Sequence, residues 1–391
     1  MRNHVAPRVQ LFSESVIREM TRHCNQHGGI NLAQGFPDFA APLALKEAAC
    51  RAVMADVNQY AITWGTPGLR EAIARKAAAF NRLDWVDPAK HVTVTCGATE
   101  AMMAVMLSVV EPGDEVIVFE PFYENYGPDA VIAQANLRFV PLEGRDFRID
   151  PDKLRAAFGP RTRAIVVNTP HNPTGKVFSR AELTQIAELC QTFDTLAITD
   201  EIYEHMVYTG EHVSIATLPG MAERTITISG LSKTFAVTGW RLGYVIAPED
   251  LTAAIRRAHD FLTVGAPAPL QEAAITALGF GPDYYQEMLQ KYAERRATML
   301  EILSEAELNP IAPQGAYYVM CDITHTGMDA VPFAHFLITQ VGVAPVPGTA
   351  FWADKQAGGR WIRFAFPKKE ETLEAARLRL RTLPARLAAV R

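Results

Sequence analysis

Cysteine is scarce in this chain, and what there is stands scattered. Cys24, Cys50, Cys96, Cys190 and Cys321 form no C-x-x-C pair. That spacing supplies neither a structural zinc ligand set nor a disulfide framework, and it fits a reducing, cytoplasmic setting. Long apolar runs are missing as well. The most apolar segment, Ala101 to Val110, is about half of what a membrane span requires. Met1 to His4 lead into no signal-peptide core. Neither sign of charge dominates: 38 Lys and Arg against 43 Asp and Glu give a net charge of -5. Bulk charge therefore does not recruit a nucleic acid or an anionic membrane. No G-x-G-x-x-G follows the early strands, which argues against a dinucleotide-binding dehydrogenase.

What the chain does have is length and apolar content. Its 391 residues, 49% of them hydrophobic, exceed what one core usually covers, so two domains are expected. Between residues 90 and 250, short apolar runs alternate with helical segments. The runs are Val92 to Thr95, Glu115 to Phe119, Leu137 to Val140, Ala164 to Val167, Leu196 to Thr199, Thr225 to Ile228 and Gly243 to Ile246. Strands that are apolar throughout are covered on both faces, and their alternation with helices predicts an α/β domain. Its core would be a mostly parallel seven-stranded sheet with helices on both faces. The expected division is an N-terminal arm over 1–40, a large domain over 41–275 and a smaller α+β domain over 276–391. Ser13 to Met20 reads as a short helix opened by a capping serine, and Tyr284 to Leu303 as a long amphipathic one.

Ligands of such sheets bind at the carboxyl ends of the strands. At those ends the sequence places Cys96-Gly97-Ala98-Thr99, a small-residue turn opening a helix, which suits phosphate. It places Tyr123, an aromatic that can stack on a flat ring. It places Asn172, an amide donor in a proline-rich loop, and Asp200, a carboxylate that needs a cationic partner such as a pyridinium N–H or an arginine. Tyr203 follows Asp200 by three residues. His171 offers an imidazole, but no second metal ligand stands at helical or strand spacing, and no metal is expected. Finally, Ser232-Lys233-Thr234 follows the sixth run, with Arg241 eight residues on. A lysine so placed can form a Schiff base with a carbonyl, and hydroxyls with a forked guanidinium suit a phosphate. Taken singly, each motif also fits an ordinary turn or core filling. Together they are the parts that pyridoxal 5'-phosphate (PLP) needs.

The chain resembles the fold-type I, class I/II PLP-dependent aminotransferases over nearly its whole length, with a kynurenine aminotransferase (glutamine transaminase K)-like pattern. The likeness rests on Asn31 to Phe39, Gln59 to Leu69, Asn168 to Ser179, Thr199 to Tyr203, Ser232 to Phe235, Thr238 to Tyr244 and Arg363 to Phe366. The resemblance implies that Lys233 binds the cofactor covalently and moves the substrate Cα proton, and that Asp200 holds the pyridine nitrogen protonated. Asn172 and Tyr203 would bond the ring 3'-oxygen, and Tyr123 would stack on the ring. Ala98, Thr99, Ser232 and Arg241 would hold the phosphate, with Tyr60 reaching the phosphate of a neighbouring subunit in a homodimer. Arg363 and Gly35, with Asn172, would meet the substrate carboxylate. X-Pro bonds before Pro121 and Pro173 would be cis. The implied reaction is a ping-pong exchange between an L-amino acid and a 2-oxo acid, with broad or aromatic, glutamine or methionine-type donors. A cysteine-conjugate β-lyase or an aspartate/alanine-type aminotransferase of the same fold is the alternative. Two positions depart from the pattern. Gly230 replaces a phosphate-binding serine, and Val264-Gly265 replaces an aromatic and a histidine in the substrate cap.

Overall fold

The computed structural model describes residues 4–389; the outermost residues of the expected arm and small domain, 1–3 and 390–391, lie outside it. The first strand, β1 (Ile30–Asn31), is only two residues long. The large sheet then takes eight strands: β2 (Val92–Thr95), β3 (Glu115–Glu120), β4 (Asn136–Glu143), β5 (Arg148–Ile149), β6 (Thr162–Asn168), β7 (Leu196–Asp200), β8 (Thr225–Gly230) and β9 (Gly243–Ile246). Their spatial order is β2-β9-β8-β7-β6-β3-β4-β5. Strands β4, β3, β6, β7 and β8 run parallel, while β9 is antiparallel to both β8 and β2. Strand β2 consequently points the same way as β8, and five carboxyl ends that carry motifs share one edge. All seven expected strands are present. The eighth, β5, is a two-residue antiparallel addition to β4, too short and polar to register as an apolar run.

Period-two alternation explains the two-sided burial. Ile117, Phe119, Ile165 and Val167 pack into one apolar layer with Phe178, Leu183 and Ile186. Their neighbours Val116, Val118, Ala164 and Val166 pack into the opposite layer with Ala101, Val105 and Met106. Those last three belong to helix α4. The helices preceding it are α1 (Val16–Gln26), α2 (Leu43–Met54) and α3 (Pro67–Ala79); α4 spans Ala98–Val109, and α5 (Tyr126–Ile132) follows β3. Helix α1 begins at Ser15 rather than Ser13, because it is the Ser15 hydroxyl that accepts the Arg18 N–H.

The C-terminal part builds a second sheet from β10 (Pro310–Ile311), β11 (Tyr318–Asp322), β13 (Val346–Pro347) and β14 (Trp361–Ala365), in the order β10-β11-β14-β13. Strand β12 (Val343–Ala344) pairs in parallel with β1, which ties the N-terminal segment to this sheet's side of the molecule. The 24-residue helix Pro282–Glu305 packs its Met288, Tyr292, Met299 and Leu303 into the same core. Among the described residues no helix is long and apolar enough to cross a membrane.

Candidate active site

The shared strand edge opens into a cleft of about 440 Å³. Of the residues that the sequence places at the cofactor or the substrate, Gly35, Ala98, Thr99, Tyr123, Asn172, Asp200, Tyr203, Ser232, Lys233, Arg241 and Arg363 line it, and Tyr60 does not. Tyr60 stands apart with 90% of its surface exposed.

Burial sets the chemistry of the floor. Asp200 terminates β7 and is buried, which pushes its carboxyl above the usual carboxylate range. Three contacts hold that shift back: the Tyr126 hydroxyl donates to Oδ2 at 2.8 Å, the Ile202 N–H to Oδ1 at 3.4 Å, and the Lys233 charge lies nearby. The Lys233 ammonium is pulled down to about 8, chiefly by burial and then by the charges of Arg241 and Arg363, against the pull of Asp200. Its Nζ donates to the Gly35 carbonyl at 3.3 Å. Tyr203 shares a 2.8 Å hydroxyl contact with Tyr318, and the Tyr317 hydroxyl donates to Gly35 O at 2.6 Å.

One wall is made for an anion. Gly97, at φ +83°, starts α4 with no side chain capping the helix. A Cβ on Gly97 would fall 2.4 Å from Arg241 Nη2, and one on Gly243 would fall 2.6 Å from the Ala98 nitrogen. Only glycine allows this close approach of guanidinium and helix start. Arg241, itself in the left-handed region at φ +53°, is steadied by a 2.9 Å bond to Thr238 O. Gly230 has a packing role: a Cβ there would meet the Leu242 carbonyl at 2.7 Å. Ser229 faces away, donating to Glu204 Oε1 at 2.7 Å, so Ser232 is the hydroxyl of this segment that lines the cleft.

The opposite wall carries Arg363, fully buried in β14. It donates to Asn172 Oδ1 and to Ala33 O, each at 2.8 Å, and stacks over Tyr318 at 4.2 Å. Its Nε has no partner, and it makes no ion pair among the described residues. A buried guanidinium without a carboxylate can take one from a ligand.

Sequence reasoning passed over Tyr126, Tyr317 and Tyr318. Tyr126 could have been found as the residue that opens α5, three positions after Tyr123; Tyr318 opens β11 and Tyr317 just precedes it, and the register of β11 against β14 sets Met320 opposite Arg363. His171 is not in the cleft. It is buried with Nδ1 2.7 Å from Thr174 Oγ1, and burial pulls its pKa down to about 3. The peptide bonds before Pro121 and Pro173 are cis, and so is that before Pro170. Val264 ends the helix Glu249–Thr263 at φ +64° and is half exposed. Glu201, Glu204 and His212 come close together, but Glu204 already pairs with Lys76 at 2.5 Å, and Glu201 is held by His212 Nε2 and the Ser214 hydroxyl, each at 2.9 Å.

These features fit PLP. An uncapped helix start with Arg241 and Ser232 suits a phosphate, a buried carboxylate suits a ring N–H, and a depressed lysine suits a carbonyl. The family model described as aminotransferase class I and II matches residues 27–380. The chain belongs to the class I and II aminotransferases. It is 39% identical to a probable N-succinyldiaminopimelate aminotransferase of Mycobacterium tuberculosis, over 97% of this chain and 98% of that one. The solved structure of the M. tuberculosis N-succinyldiaminopimelate aminotransferase superposes with a TM-score of 0.94, covering 97% and 100% of the two chains at 39% identity. A methionine aminotransferase of Escherichia coli is 35% identical (97% and 99% covered), and kynurenine–oxoglutarate transaminase 3 of Mus musculus is 36% identical (95% and 88%). The fold is that of the type I PLP enzymes, and this aminotransferase uses pyridoxal 5'-phosphate.

Proposed function

We propose that this aminotransferase takes L-amino acids with long or bulky side chains, of aromatic, glutamine or methionine type, and passes their amino group to 2-oxo acids in a ping-pong exchange. One observation carries the donor class. Ser15, Arg18, Glu124 and Asn125 line both the cleft and an outer groove of about 740 Å³, whose walls include Phe12, Phe122, Phe139 and Trp352. A side chain too long for the inner cleft thus has a path outward, through a polar junction into a groove with aromatic walls. The relatives' names point the same way, since methionine, kynurenine and N-succinyldiaminopimelate all carry extended side chains.

Bound PLP supplies a carbonyl that condenses with amines and a ring that draws electrons from the substrate Cα. In this reading Lys233 holds the cofactor, and its amine, depressed to about 8, takes the Cα proton. Asp200 keeps the ring nitrogen protonated, braced by Tyr126. Asn172 and Tyr203 would hold the ring oxygen, and Tyr123 would cover the ring. The start of α4 at Ala98 and Thr99, together with Ser232 and Arg241, binds the phosphate. Arg363 forks onto the α-carboxylate beside Gly35. Tyr60 completes the phosphate site of a second subunit, a homodimer supported by the exposed apolar residues Tyr60, Ile62, Phe261 and Val264.

A spectroscopic half-reaction screen tests the donor class. Methionine, glutamine and aromatic amino acids should bleach the holoenzyme band faster than aspartate or alanine. A strict preference for aspartate or alanine would overturn it.

A further inference from the structure

Four consecutive backbone carbonyls, those of Ala33, Gln34, Gly35 and Phe36, are each taken by a cationic side chain. Arg363 Nη2 donates to Ala33 at 2.8 Å and Lys233 Nζ to Gly35 at 3.3 Å. Lys368 Nζ donates to Phe36 at 3.0 Å and to Gln34 at 3.5 Å. Gln34, Gly35 and Phe36 line the cleft. Two of the three cations have other tasks in the reading above: Arg363 meets the substrate carboxylate and Lys233 the cofactor. Lys233 must loosen its hold on Gly35 once its nitrogen is bonded to the cofactor, and Arg363, with five N–H donors, must share its fork between Ala33 and a carboxylate.

Lys368 has no such second task. It is 2% exposed, and its ammonium lies 4.2 Å from the centre of the Phe36 ring. It forms no ion pair among the described residues. The acid that acts on it, Asp38, is occupied by the Lys369 N–H at 2.5 Å and the Thr372 hydroxyl at 2.7 Å; the other titratable neighbour is the Cys24 thiol. Its own carbonyl is pinned by Arg295 Nε at 2.8 Å. Burying an unpaired ammonium is costly, and a methionine would fill the space without that cost. The charge has one evident use, the carbonyls of residues 34 and 36 and the face of Phe36.

We propose that Lys368 is a positioning residue for transamination, fixing the Gln34–Phe36 segment against the substrate side of the cleft while Lys233 changes partners and Arg363 takes up a carboxylate. The inference rests on the roles proposed for those two residues, but its first test needs no substrate. In holoenzyme, Lys368→Met keeps the side-chain length and removes the charge. Amide exchange within residues 31–39 should quicken about tenfold, and KM for the donor should rise about tenfold with kcat within about threefold. Lys368→Arg should recover part of both. A folded Lys368→Met enzyme with unchanged exchange in 31–39, or with a fall in kcat at constant KM, would overturn the proposal. Should Lys368→Met not fold, Phe36→Leu removes the ring beneath the ammonium. It should move both readouts in the same direction, and no change in either would overturn the proposal equally. A wrong donor class would alter the KM comparison and leave the exchange result intact.

Discussion

Arg363 Nη1 donates to Asn172 Oδ1 at 2.8 Å, joining two residues 191 positions apart in the sequence. The pair holds the guanidinium in place while leaving its charge uncompensated by any acid among the described residues. Lysine keeps the charge and loses the planar fork. Arg363→Lys should therefore lower kcat/KM about 10²-fold for every donor, roughly 3 kcal/mol, with the protein still folded. Steady-state kinetics with circular dichroism checks this.

The Tyr126 hydroxyl is the strongest of the influences that keep the buried Asp200 carboxyl from rising further. In Tyr126→Phe that brake is gone, and Asp200 protonates at higher pH than in the native enzyme. A carboxylate with a raised pKa is lost as pH falls. The acid-side decline in kcat and in the cofactor band should accordingly move to higher pH, with kcat reduced about tenfold at neutral pH. Absorbance and rate titrations read both.

Asp129, in the first turn of α5, is a buried carboxyl whose Oδ2 has no partner among the described residues, and burial raises it to about 7. Below pH 4 both folded and unfolded chains are protonated here, so the residue costs nothing. As pH climbs from 4 to 7 the unfolded chain sheds its proton first, and stability falls. Asp129→Asn mimics the neutral acid. It should raise Tm at pH 8, by up to about 4 kcal/mol of stability, and leave Tm unchanged at pH 4. Thermal melts across that range check the sign.

Much of this was legible in the sequence because the sheet strands are short, apolar throughout and bounded by turns. A strand buried on both faces leaves an unbroken run, and Ile117 and Val118 enter opposite layers with no polar residue between them. Strand β5 left no such trace in Arg148-Ile149. Residues that sit at strand ends, such as Asp200, could be placed by topology alone. Tyr318 and Lys368 could not, since their importance comes from partners nearly 115 and 332 positions away in the chain, Tyr203 and Phe36. Gly230 could be noticed but not explained until the Leu242 carbonyl was seen beside it. Donor preference was the least legible, because the outer groove is walled by separate segments, α1, Phe122, α5, β4 and the Trp352 loop, whose meeting no sequence motif announces.

In the proposed function the amine of Lys233 carries the cofactor opposite the Asp200 carboxylate. Borohydride reduction of the holoenzyme, followed by peptide mapping with mass spectrometry, tests it most directly. One pyridoxyl group per chain is expected, on the peptide containing Lys233, and none in Lys233→Ala. A label on Lys76, Lys176 or Lys368, or full turnover by Lys233→Ala, would contradict it.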